Sequence, residues 1–365
     1  MSNSPWSSSI RAPKTVCASR RWDKSWRHEH ALLIRRLSDA GASVIAFDIY
    51  LEGSSLFDKE LIKAAEAARA KGTRVVFASN GGSQALKLPE SAVEVGLACI
   101  GNELDWTRLV PLVVRRQRAA NPSSAAAEPE YVASLGAVAA KPGATIHYLD
   151  MENRWVILKY PGGTEHRMLF SRIEDVSREQ ECAALAPGDQ VAQRFIRFSR
   201  LELLRDPNRR HRYQDLLGTP VAPGASEYRG KIFLVGDEVH DPARQVFRGI
   251  HVENRYGYEI HADVINTLLH DGVIRALPPL PQFFVTLAMG LLGMVGRFWP
   301  WLWCLPRRRA YVCGVPLAYV AMSVWLCAEF QILLSSTYHL GAFALAYWVS
   351  DLTLRSARIW DTGRI

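Results

Sequence analysis

Cysteine is scarce, and its placement supports no chemistry. The chain has six, none in a CxxC pair: Cys17, Cys99 and Cys182 precede residue 277, and Cys304, Cys313 and Cys327 follow it. Neither a disulfide framework nor a zinc knuckle follows from such spacing. HExxH and GxxxxGK[ST] are absent, and no GxSxG precedes a helix. The metalloprotease, P-loop and nucleophile-elbow signatures are therefore missing, and neither a metal nor another cofactor is expected. Internal repeats are absent too. The first 30 residues contain no apolar stretch of the kind an export signal needs.

No strongly basic block dominates either. The net charge of +8 is scattered, and 22% charged against 48% hydrophobic residues is an ordinary balance that argues against wholesale disorder. Scattered Lys and Arg read as a solvated surface, so no nucleic-acid partner is expected. The turn-rich basic loop 205–213 reads the same way, with anion binding as the alternative.

Long apolar runs are present, and they are concentrated at one end. Residues 277–296 carry no charge. About 20 helical residues span roughly 30 Å, the thickness of the hydrocarbon layer. Arg297 and the cluster Trp299, Trp301 and Trp303 follow, as a headgroup belt would place them. The expectation is three transmembrane helices within 277–354, at about 277–297, 310–328 and 337–352. Pro316 should kink the second. Gly290, Gly293 and Gly296 form a small-residue stripe, suited to helix contact or to a loosely packed lipid face. Glu329 and His339 are expected in the wet turn between spans two and three.

Arg307, Arg308 and Arg309 lie between spans one and two, and Arg355, Arg358 and Arg364 follow span three. The positive-inside rule puts both groups in the cytoplasm. Residues 15–276 then lie outside it, with 355–365 a short cytoplasmic tail. A domain of that size needs an export signal. Either a segment upstream of Met1 supplies it or the topology is inverted; the first reading is preferred.

Ahead of the spans the chain reads as α/β. Residues 1–14 are expected to be a disordered lead. A helix at 28–40 stopped by Gly41, a strand at 43–48, a helix at 58–68 stopped by Gly72 and a strand at 74–78 suggest a largely parallel sheet covered by helices. Residues 93–100 read as strand, 119–129 as a linker and 131–140 as helix. Residues 146–149 and 155–160 look like a hairpin around Asn153. The stretch from 231 to 272 is central. Its apolar run, stopped by Gly236 and Asp237, reads as a buried strand. Ile260, Val264, Ile265, Leu268 and Leu269 recur at helical spacing before Gly272.

With these pieces in order, the chain resembles the second class of CHASE-type extracellular sensory domains. The matching pieces are Arg21-Trp22 through Trp26, the helix around Leu32 and Leu37, and the strand ending Phe47-Asp48. They continue with Asp58, Leu61 and Ala64, GKIFLVGD at 230–237 with Asp241 beyond it, and Gly257-Tyr258-Glu259-Ile260-His261-Ala262 through Asn266 to Leu269. The resemblance implies a sensory domain that precedes three membrane helices in bacterial receptors ending in adenylate cyclases, histidine kinases or serine/threonine kinases. Such domains usually begin with a membrane span and a strand ending in an acidic pair. Here residues 14–18 hold that strand's place without the acids. The chain stops about ten residues after its last expected span, so the output module is expected to be a separate cytoplasmic partner. A homodimer in the bacterial inner membrane, with a periplasmic sensory domain, is implied by the resemblance.

Asp48 and Asp237 each end an expected buried strand. In an open α/β sheet the ligand crevice lies beyond the carboxyl ends of the strands. Glu238, His240 and Asp241 from the following loop, and Glu259 and His261 from the helix start, complete a candidate site for an unknown small-molecule or periplasmic ligand. The competing reading is helix caps and loop hydrogen bonds. The expected function is a membrane-anchored sensor and not an enzyme. The alternatives are a membrane-tethered extracytoplasmic hydrolase and a structural membrane protein.

Overall fold

The computed structural model describes residues 6–11, 25–79, 88–98, 109–116, 129–176, 185–218, 227–238, 244–248, 251–270, 275–299, 305–330 and 332–362. The chain divides into two units, Met1–Gly272 and Val273–Ile365.

The first unit opens with β1 (Trp6–Arg11), α1 (Trp26–Asp39), β2 (Val44–Tyr50), α2 (Asp58–Ala70), β3 (Arg74–Ser79) and β4 (Glu94–Leu97). A middle section follows: β5 (Leu109–Arg116), β6 (Glu130–Ala133), α3 (Leu135–Ala140), β7 (Thr145–Asp150), β8 (Trp155–Lys159), β9 (Glu165–Leu169), β10 (Arg172–Asp175) and β11 (Gln190–Phe195). The chain returns through α4 (Leu201–Leu204), β12 (His211–Arg212), α5 (Tyr213–Gly218) and β13 (Ile232–Gly236). It then closes the unit with β14 (Arg244–Arg248), β15 (His251–Arg255) and α6 (Gly257–Leu269).

One six-stranded sheet, ordered β12-β1-β13-β2-β3-β4, is parallel throughout. Its central strands β13, β2 and β3 are apolar on both faces because both faces are covered. Ile45, Phe47, Phe77 and Phe233 pack with Leu33, Leu37 and Leu61 of α1 and α2. On the other face Val44, Ala46 and Leu234 pack with Leu135, Ile260 and Val264 of α3 and α6. Leu33, Ile34 and Leu37 are fully buried, each contributing about 1.5–3 kcal/mol of burial. Gly41 ends α1 with φ +87°, a left-handed backbone that glycine adopts without a Cβ penalty.

The middle section departs from this pattern. Strands β10-β11-β5-β6 form one antiparallel sheet and β7-β8-β9 another. The sequence's hairpin is the first turn of the second sheet. The expected helix at 131–140 divides. Tyr131, Val132 and Ala133 pair with β5, and α3 starts only after Ser134, whose hydroxyl accepts from the Ala137 N–H at 3.3 Å. That is an N-cap, and it fixes the boundary. The lead expected to be disordered contains β1, which pairs with β13 and β12. Composition misjudged it because ladder bonds are made by backbone that every residue carries. Residues 14–18 and residues 119–128 of the expected linker lie outside the described residues.

The second unit holds β16 (Arg275–Ala276), α7 (Pro279–Phe298), α8 (Leu305–Phe330), β17 (Ile332–Leu333) and α9 (Ser336–Thr362). Among the described residues two helices are long and apolar enough to cross a membrane, Pro279–Phe298 and Pro306–Cys327, with mean hydropathies of 1.5 and 1.7. The third expected span is a 27-residue helix, but it does not reach that measure. Ser336, Thr337, His339, Ser350 and Asp351 dilute its apolar residues. Gly293 and Gly296 are close-contact positions, where an added Cβ would meet the Phe343 backbone and the Tyr311 ring. Gly290 faces open space. His339 is fully buried beside the Tyr319 hydroxyl, not in a wet turn, whereas Glu329 is exposed.

Candidate functional site at the carboxyl edge of the parallel sheet

Strands β2 and β13 are neighbours, and Val235 lies opposite Phe47. By that register Asp48 lies level with Gly236, one residue before Asp237, so both acids stand at the carboxyl edge of the sheet. Phe47 faces α1 and α2, so alternation turns Asp48 to the opposite layer, where α6 lies. There the His261 Nε2 stands 3.9 Å from an Asp48 carboxylate oxygen. Asp237 and His261 are both buried. Gly236 brings α6 in: a Cβ at this position would overlap the Tyr258 ring. The glycine that stops the strand in the sequence is thus a contact surface for the helix.

Glu238 and Glu259 carry guanidinium partners.

 The Glu238 carboxylate pairs with Arg210 and accepts from the Tyr258 hydroxyl at 2.8 Å. Arg210 also donates to the Tyr258 hydroxyl. Arg205 holds Glu259 through two bonds, Nε to Oε1 at 2.7 Å and Nη2 to Oε2 at 2.9 Å, a bidentate pairing. Glu259 also accepts from the Tyr256 N–H at 3.1 Å, which closes the N-terminus of α6. Hydrogen bonding to Glu259 raises the Arg205 pKa, and burial, helped by the Glu259 charge, raises that of the Tyr258 hydroxyl. Both arginines come from the basic loop 205–213, so part of that loop points inward and is not a solvated face. The sequence showed the cations as a basic loop, but not that Arg205 and Arg210 pair with Glu259 and Glu238.

One turn further along α6 lies a second cluster. Arg255 and Asp263 are both fully buried and paired. The Ser199 N–H donates to Asp263 at 2.9 Å, and Arg255 donates to Glu253 at 2.6 Å. Burial pushes the Asp263 carboxyl up to about 7, against the pull of Arg255. Sequence reasoning missed this pair because neither residue stands out in its local pattern. On the opposite face of the sheet, His30 Nδ1 lies 2.7 Å from the Tyr213 hydroxyl. Burial, then Arg27, lowers the His30 pKa to about 3.

Of the seven candidate residues, the structure brings Asp48, Asp237 and His261 to one edge. It places Glu238 and Glu259 beside them in arginine pairs. His240 and Asp241 lie outside the described residues. No group of three His, Cys, Asp or Glu among the described residues has the geometry to hold a metal ion. Two guanidiniums balance Glu238 and Glu259.

The CHASE2 domain family matches residues 8–296 of the chain. No curated protein and no solved structure matches it.

Proposed function

The chain belongs to the CHASE2 domain family of extracellular sensory domains found in signalling receptors, and from that premise we propose that it is the periplasmic sensor of a bacterial inner-membrane receptor. The observation that carries the proposal is the extent of the match. It begins in β1, runs through α6, and ends inside α7, the first of the two helices apolar enough to span a bilayer. The match thus takes in both the α/β unit and most of an apolar helix.

In this reading α9 is a third span. Its support is the packing of α9 on α7, with Gly293 against the Phe343 backbone. The ligand, a small molecule or a periplasmic partner, meets the sheet edge at Asp48, Asp237 and His261. A homodimer passes the signal to a cytoplasmic output module, and the chain itself acts as a receptor and not as an enzyme.

Reporter fusions test the arrangement. Alkaline phosphatase fused at Leu216 should be active, and the same enzyme fused after Arg309 should be inactive. The reverse pattern overturns the proposal.

A further inference from the structure

Helices α7 and α9 run in the same direction and are tied at three levels. At the first level, Arg275 and Ala276 of β16 pair in parallel with Ile332 and Leu333 of β17. The Leu277 N–H extends that pairing to the Leu333 carbonyl at 3.1 Å. At the second, Gly293 lets α7 reach the backbone of α9 at Phe343 and Tyr347. At the third, Arg297 Nε stands 2.7 Å from an Asp351 carboxylate oxygen.

The joints to α8 are of another kind. Tyr311 donates to the Leu292 carbonyl at 2.7 Å, Tyr319 meets His339, and Arg308 reaches Asp351 at 3.2 Å. Each works through a side chain with rotatable bonds. Backbone pairing and the approach of Gly293 to the α9 backbone leave no such slack, whereas Gly296 of α7 meets α8 only through the Tyr311 ring.

We propose that α7 and α9 move as one rigid pair, with α8 pivoting beside them. A displacement entering at residues 275–278 then reaches the far end of α9 directly, without passing through α8. The helix continues beyond Asp351 to Thr362, about three turns further. This rests on the membrane reading above and adds to it the route by which the signal crosses.

The test uses the full chain in lipid bilayers, with its six cysteines replaced by serine. Gly290 on α7, Gly314 on α8 and Gly341 on α9 each have open space around an added Cβ. Spin labels attached in pairs after Gly290→Cys, Gly314→Cys and Gly341→Cys report the distances between helices. The α7–α9 distance distribution should be narrow, and both distributions involving α8 roughly twofold broader, as expected for a joint with side-chain slack. An α7–α9 distribution as broad as the other two overturns the proposal. Asp351→Asn combined with Gly293→Val should widen the α7–α9 distribution, and Asp351→Asn alone should do so to a smaller extent. An unchanged width in both variants also overturns it. Oxygen and nickel-chelate relaxation of the same labels reports whether the helices lie in lipid. Failure of the membrane reading is thereby distinguished from failure of the rigid pair.

Discussion

Two buried ionic clusters, one in each unit, solve the same problem in different ways. In the sensory unit Arg255 and Asp263 have no exposed surface, the Ser199 backbone bonds both, and Glu253 also accepts from Arg255. In the helical unit one carboxylate, Asp351, serves both Arg297 and Arg308, and the Arg308 side chain remains 28% exposed. The first cluster is held by exclusion of water, where an unpaired charge is intolerable. The second is held by geometry near a helix end, where a long cation can reach polar surroundings when its partner is lost. The loss of one partner should therefore cost far more in the first cluster.

Arg255→Ala is the strongest way to break the comparison. It leaves Asp263 buried without its guanidinium, and a cost of about 3–5 kcal/mol is expected from the rule for broken buried pairs. Urea unfolding followed by tryptophan fluorescence measures it. A cost below about 1 kcal/mol, the range of exposed pairs, would remove the distinction between the clusters.

A pH profile sharpens the same point. The Asp263 carboxyl titrates near 4 in an unfolded chain and about 7 in the folded one. Between those values the folded state holds a proton that the unfolded state has released. Stability from this group is complete below about pH 4 and declines as the pH rises through 7. Between pH 5 and 7 the decline should be about 2–3 kcal/mol. Asp263→Asn should flatten that part of the profile, and an unaltered slope would refute the assignment. His30 acts at the acid end with the opposite sign. Its folded-state pKa is lowered to about 3, so its contribution is present above about 6.5 and is lost as the pH falls towards 3.

Gly236→Ala tests the contact that brings α6 to the site. The new methyl group would overlap Tyr258, which is itself 1% exposed and has little room to yield. Overpacking of this kind costs about 1–3 kcal/mol. Hydrogen exchange should rise in α6 more than in α1, which packs on the other face of the sheet. Equal change in both helices would mean that Gly236 does not set the position of α6.

The contrast between regions also explains what could be read from residues alone. The parallel core was legible because burial on both faces leaves unbroken apolar runs such as 44–47 and 232–235, with helices of clear period between them. The adjacency of β2 and β13 was not, since it joins strands nearly 190 residues apart and no local pattern records it. Asp237 was legible as the residue that ends a strand, whereas β2 runs two residues past Asp48 to Tyr50. The arginines that neutralise Glu238 and Glu259 were visible as a basic loop but misread, because a charge's partner is fixed by tertiary packing and not by its neighbours in the chain. The middle section was obscure for a different reason. Strands of four to six residues with mixed exposure, such as β7 and β9, carry too short a period to separate from loop. In α9 a buried His339 and Asp351 lowered the apolar signal of a helix whose polar residues are satisfied by its neighbours.

The smallest effect should come from the helical cluster, and it has a distinctive order. Arg308→Gln removes one of two cations and leaves Asp351 with Arg297 at 2.7 Å, so a cost of about 0.5 kcal/mol or less is expected, typical of a partly exposed pair. Asp351→Asn leaves two guanidiniums facing each other without a counter-charge, and about 1 kcal/mol is expected because Arg308 can turn outward. The double variant should cost no more than Asp351→Asn alone, since removing Arg308 also removes the repulsion. Thermal unfolding of the full chain in detergent, followed by helical circular dichroism, reads all three. If Arg308→Gln costs as much as Asp351→Asn, the carboxylate is not shared in the way the geometry indicates. A cost of 3 kcal/mol or more for either would make this cluster energetically like the one around Asp263, and the exposure of Arg308 would then have no bearing on its strength.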